Sequence, residues 1–156
     1  NAVAMSVEKD PTFRSVIEAS RQVRRESVAD GIVAAAREIA EATNIKAICC
    51  FSQTGTTAAL VARERPHVAI LALTPLMSTA RRMALTWGTH CVITPPQDRF
   101  KGAVLAAVSA ARDDGFAAEE DQIVVTAGVP FNVKGTTNIL RVAPCDARLI
   151  SRVDPE

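Results

Sequence analysis

The chain has 156 residues, of which 48% are hydrophobic and 22% charged, and its formal net charge is +1. Those figures predict one packed domain and leave no ground for extended disorder. The balance is too even to suggest nucleic acid or an anionic membrane as the partner, so any anion site has to be local.

Residues 1–26 carry no clear hydrophobic period, and Arg21, Arg24 and Arg25 read as a solvated basic face. The chain starts at Asn1 rather than Met, as a piece cut from something longer would. Ser27-Val28-Ala29-Asp30 resembles a capping box with Asp in place of Glu. Behind it Val28, Ile32, Ala35, Ile39 and Ala42 predict a helix that buries a narrow stripe of small residues.

From Ile45 the period changes. "IKAICCF" (45–51) suits a buried strand, "TAALVARER" a helix ended by Pro66, and "VAILALT" (68–74) a second strand. "STARRMALTW" (78–87) predicts a helix, with Gly88 where a left-handed C-cap belongs, and "HCVIT" (90–94) a third strand. Asp98 opens a long helix with Phe100, Val104, Ala107, Val108 and Ala111 on one face, stopped by Gly115. "DQIVVTAG" (121–128) and "NILRVAP" (138–144) are strands four and five.

Apolar strands separated by helices imply crossover connections and a parallel sheet covered on both faces. The loop "VPFNVKGTT" is too short for a helical crossover, so strand five is expected to run antiparallel. The predicted fold is a single three-layer α/β/α sandwich whose five-stranded mixed sheet is mostly parallel.

Cys49, Cys50, Cys91 and Cys145 fit no zinc or CxxC spacing and read as reduced, mostly buried thiols of a cytosolic protein. Cys49 and Cys50, as strand neighbours, should point to opposite faces. No apolar stretch is long enough to span a bilayer and no signal-peptide pattern is present, so a cytoplasmic location is expected. His67 and His90 have no carboxylate or Cys nearby in sequence, and Glu119, Glu120 and Asp121 read as a solvated turn. Trp87 is expected as a core or interface anchor. No nucleophile–base pair and no metal-binding set is visible.

The turn "SQTGTT" (52–57) follows the first strand, at the edge where such sheets bind ligands. Ser52, Thr54, Thr56 and Thr57 can donate to phosphate oxygens, Gln53 lies among them, and Gly55 would let an anion approach the backbone at a helix N-terminus. The same residues also suit an ordinary capped turn, and the local pattern leaves both readings open. A Walker motif is absent. The loop "GVPFNVKGTTN" (128–138), with Gly128, Lys134 and Gly135, should lie at the same sheet edge, and the two loops together favour a small phosphorylated ligand.

"FSQTGTTAALVARERPHVAILALTP", "ARRMALTWG" and "DQIVVTAGVPFNVKGTTNILRV", in that order, resemble the C-terminal domain of pyruvate kinase over about residues 7–143. The resemblance implies a mixed sheet with strand five antiparallel, and a domain that regulates and does not catalyse. Residues 1–26 would lead in from a preceding barrel domain, and 27–156 would form the C-terminal α/β domain. It also implies that phosphoenolpyruvate, ADP, magnesium and potassium bind in the barrel, with no cofactor in this domain. The implied partners are a phosphorylated effector, the barrel and other subunits of a homo-oligomer. Ser52, Thr54, Gly55 and Thr57 match the effector-phosphate turn, and Gly128 to Gly135 match the loop that closes over the effector. Gln53 departs from the basic residue common in members activated by fructose 1,6-bisphosphate, and "PPQDRFKGAV" shows no secure match to their Trp and Arg contacts. Effector identity therefore stays open among that sugar, sugar monophosphates and AMP. A stand-alone phospholigand binder and a purely structural oligomerisation module are the other readings.

Overall fold

A computed structural model describes residues 2–20, 27–131, 133 and 135–153. The basic cluster at 21–25 and the candidate cation Lys134 lie outside the described residues.

Two short helices, α1 (Ala2–Glu8) and α2 (Pro11–Ser20), precede the domain. The first escapes a periodicity reading because Val3, Met5 and Val7 are spaced by two, the strand period, and all three stay exposed. Local capping shapes the second, with the Thr12 amide donating to Asp10 Oδ1 at 2.7 Å. Glu8 accepts from Trp87 Nε1 at 2.8 Å, and Arg37 pairs with Glu18, tying both helices to the domain.

Helix α3 (Val28–Ala42) starts with the expected capping box between Ser27 and Asp30. Its buried stripe is displaced from the expected one. Val33, Ala36, Arg37 and Ala40 face inward, whereas Val28, Ala35 and Ala42 are exposed. A charged residue sits in the middle of the true stripe, which hides it from a hydrophobic count. Glu18 of α2 and Glu41 meet that charge.

The remaining elements are β1 (Ile45–Phe51), α4 (Thr56–Arg63), β2 (Ala69–Thr74), α5 (Met77–Met83), β3 (Thr89–Ile93), α6 (Phe100–Asp113), β4 (Gln122–Gly128), β5 (Thr137–Pro144) and α7 (Ala147–Val153). Gly88 is left-handed as expected, at φ 66°, but lies several residues past the end of α5. Arg99, not Asp98, is the N-cap of α6, and it makes no side-chain cap. Helix α6 then buries its predicted face through Val104, Ala107, Val108 and Ala111.

The sheet order is β3-β2-β1-β4-β5. Pairs β3–β2, β2–β1 and β1–β4 are parallel and β4–β5 is antiparallel. Successive residues of β1 serve opposite layers, as its period of two requires. Ala47 and Cys49 join Leu71, Leu73, Val125, α6 and α7 on one face. Ile48 and Cys50 join Ile70, Ala72, Val124, α3 and α4 on the other. The three-layer expectation holds, and so does the antiparallel fifth strand.

From β1 the chain steps outward to β2 and β3 through α4 and α5. It then returns across the opposite face through α6 to enter β4. Connections therefore diverge between β1 and β4, and a crevice opens outside their carboxyl ends.

Candidate functional site in the crevice between strands one and four

A cavity of about 100 Å³ occupies this crevice. Segments after all four parallel strands reach it: Ser52 to Thr54 with Thr56 and Thr57 after β1, Pro75 after β2, Thr94 to Gln97 after β3, and Gly128, Phe131, Val133 and Gly135 to Thr137 after β4. Phe51, Leu60, Leu73 and Phe131 supply apolar wall. Among the described residues that wall carries no charged side chain. The structure thus brings Ser52, Gln53, Thr54, Thr56, Thr57, Gly128 and Gly135 together around one space.

The turn is internally organised. Ser52 Oγ accepts from the Gly55 amide at 2.9 Å, which leaves its own hydroxyl hydrogen free to point elsewhere. Thr54 and Thr56 hydroxyls lie 2.9 Å apart, so at most one of the two hydrogens is used between them. Gly55 is the N-cap of α4 at φ 77° and supplies no side-chain cap. The first amides of α4 therefore have no intrahelical acceptor, and they add the positive end of the helix dipole.

Three residues have structural reasons beyond the anion role expected for them. A Cβ on Gly55 would meet Met83 Sδ at 2.5 Å, so this glycine serves both a left-handed turn and a close contact with α5. Thr57 is buried, and its hydroxyl meets that of Thr137 at 2.6 Å. Gly128 is likewise needed where the chain doubles back, since a Cβ there would meet the Thr136 carbonyl oxygen at 2.9 Å.

The second loop is pinned at its base. Asn138 Oδ1 accepts from the Val129 amide at 2.9 Å, and its Nδ2 donates to the Val129 carbonyl at 2.6 Å. Thr136 Oγ1 donates to the Val133 carbonyl at 2.8 Å.

Sequence reasoning missed two contributors. Pro95, Pro96 and Gln97, from the segment with no secure family match, line the cavity. Helix α5 grips the turn from outside: Thr79 Oγ1 donates to the Gln53 carbonyl at 2.7 Å, and Arg82 donates to the Thr54 carbonyl. No local pattern signals such contacts, because they join residues 26 and 28 positions apart.

The remaining candidates lie elsewhere. His67 pairs with Glu41 at 3.1 Å and His90 with Asp114 at 3.0 Å, both through carboxylates distant in sequence. Trp87 packs on the core as expected, beneath the Arg65 guanidinium at 4.5 Å. Asp121 takes part in the turn hydrogen bond from the Ala118 amide, at 2.8 Å. Among the described residues no group of three His, Cys, Asp or Glu side chains could hold a metal ion, and no helix is long and apolar enough to cross a membrane.

Residues 30–143 match the family model described as "Pyruvate kinase, alpha/beta domain". A pyruvate kinase of Methylorubrum extorquens is 35% identical over 143 residues, which are 92% of this chain and 30% of that protein. One of Agrobacterium vitis is 38% identical over 135 residues, 86% of this chain and 28% of that protein. A crystal structure of a pyruvate kinase from Cryptosporidium parvum superposes with a TM-score of 0.74 at 23% identity, over 86% of this chain and 26% of that one. The chain thus spans about 30% of the length of these curated relatives. With a matched segment running from the first turn of α3 to the end of β5, the chain belongs to the pyruvate kinase alpha/beta domain family.

Proposed function

We propose that this chain is the regulatory C-terminal domain of a pyruvate kinase, and that its crevice holds the phosphate of a small allosteric effector. One observation carries the reading: the uncapped, hydroxyl-rich turn heading α4 and the loop after β4 converge on a single cavity at the switch point of the sheet. A phosphate there would accept from the first amides of α4 and from the hydroxyls of Ser52, Thr54 and Thr56. The apolar wall, including Phe131 and Pro95, would cover the rest of the ligand.

In this reading phosphoryl transfer from phosphoenolpyruvate to ADP, with its magnesium and potassium, belongs to the barrel domain of the full enzyme. No residue of this chain is assigned to those ions. The domain would also supply one interface of a homo-oligomer.

The test is a melting series with fructose 1,6-bisphosphate, glucose 6-phosphate, ribose 5-phosphate and AMP up to millimolar concentration. A ligand at ten times its Kd adds about 1.4 kcal/mol by mass action, a shift of roughly 3–6 °C. The reading fails if none shifts melting and crystals soaked in phosphate leave the turn empty. A coupled assay on the chain alone should stay at background, and turnover that tracked the purified chain would contradict a purely regulatory role.

A further inference from the structure

Two carbonyls of the turn, those of Gln53 and Thr54, are held by α5. A trans peptide places its C=O and N–H on opposite sides of the chain, so pinning one aims the other. Thr79 pins the Gln53 carbonyl and Arg82 pins the Thr54 carbonyl. No residue of α5 lines the cavity, whereas Gln53, Thr54, Thr56 and Thr57 do. The helix therefore holds the turn from outside the cavity lining. With these two carbonyls held toward α5, the Thr54 N–H points away from that helix, and two oxygens that would repel an anion are kept from the cavity. The pinned Thr54 carbonyl also directs the Gly55 amide onto Ser52 Oγ, which frees the Ser52 hydroxyl hydrogen for a ligand. Met83 closes the arrangement by filling the space against Gly55.

We propose that Thr79 and Arg82 are positioning residues of the phosphate turn, acting through the peptide planes of residues 53–55 and not by touching the ligand. The inference rests on the phosphate reading above and adds to it the part that sets the polarity of the turn. Thr79 is the cleaner probe, since it is uncharged and buried, with a hydroxyl bonded to the Gln53 carbonyl.

The experiment is a titration of the ¹⁵N-labelled chain with inorganic phosphate and with ribose 5-phosphate. It follows the amide signals of Thr54 to Thr57 for the unaltered chain and for Thr79→Val, Thr79→Ser, Arg82→Met and Arg82→Gln. Thr79→Val and Arg82→Met should each weaken binding by about tenfold, the scale of one lost hydrogen bond of this kind. Thr79→Ser should restore the affinity, and Arg82→Gln, a neutral donor, should bind more tightly than Arg82→Met. Unchanged affinity in folded Thr79→Val and Arg82→Met overturns the positioning role and leaves the phosphate reading standing. A loss in Arg82→Gln equal to that in Arg82→Met, abolished by high salt, assigns Arg82 to direct charge attraction and overturns its positioning role. Should Thr79→Val fail to fold, the two variants of the exposed Arg82 still decide its half of the proposal, and Thr79→Ala, compared with Thr79→Ser, decides the other half. An unaltered chain that gives no saturable shift with either probe, nor with the other three ligands of the melting series, overturns both readings together.

Discussion

Thr57 and Thr137 place their hydroxyls 2.6 Å apart in a buried position, joining the first turn of α4 to the first residue of β5 across 80 residues of sequence. The pair ties the turn after β1 to the edge strand that follows the second loop, so both walls of the crevice share one hydrogen bond. Removing either hydroxyl strands the other. Thr57→Val or Thr137→Val should each cost about 1–3 kcal/mol, the penalty of a buried group left unpartnered. The double variant should cost less than the sum of the two. Urea unfolding of all four proteins measures the cycle, and strict additivity would show that the hydroxyls do not act on each other.

Gly55 and Gly115 have nearly the same left-handed backbone, at φ 77° and 76°, but only Gly55 has neighbours where a Cβ would sit. Gly115→Ala should therefore cost about 1–2 kcal/mol for the backbone alone. Gly55→Ala should cost more, by roughly 1–3 kcal/mol of overpacking against Met83. Equal losses in denaturant unfolding would show that Met83 moves aside freely.

Asp30 accepts hydrogen bonds from Ser27 and an ion pair from Arg63 at 2.6 Å. The Ser27 hydroxyl first, and Arg63 second, hold its carboxyl below the usual carboxylate range. A carboxyl depressed in the folded state contributes stability that is complete above its unfolded value, near 4, and is lost as pH falls through the folded value. Ser27→Ala should remove much of that acid-side dependence as well as the helix cap. Melting temperature followed from pH 6 to pH 2.5 checks it, and parallel curves for the two proteins would count against the capping box.

Cys49, Cys50 and Cys145 are fully buried, and burial pushes the Cys50 thiol up to about 12 and the Cys145 thiol up to about 11. Cys91 is only partly covered. Thiolate is the reactive form, so a disulfide reagent should modify Cys91 first and the other three only on unfolding. Cys91→Ser should abolish the fast phase, and a fast phase surviving in that variant would show that the core opens.

The layers are legible in the amino-acid sequence. All five strands lie within one residue of the boundaries expected from apolar runs, because burial on both faces writes an unbroken hydrophobic stretch. The antiparallel fifth strand followed from a loop too short to cross the sheet, and the candidate turn from its place after the first strand. Other features were legible only as composition. The stripe of α3 was misplaced because Arg37 breaks it, and its charge is met by a glutamate 19 positions away that no local window contains. Helices α1, α2 and α7 went unread, and the first carries no buried residue to set a period. At the site, the hydroxyls and glycines were visible, but not what each one does. That Thr57 meets Thr137, that Gly55 rests on Met83, and that Thr79 and Arg82 hold the turn's carbonyls were decided by the tertiary structure alone. Periodicity records which face of an element is buried, whereas contacts between distant residues are set by strand register and by the path of the crossover helices.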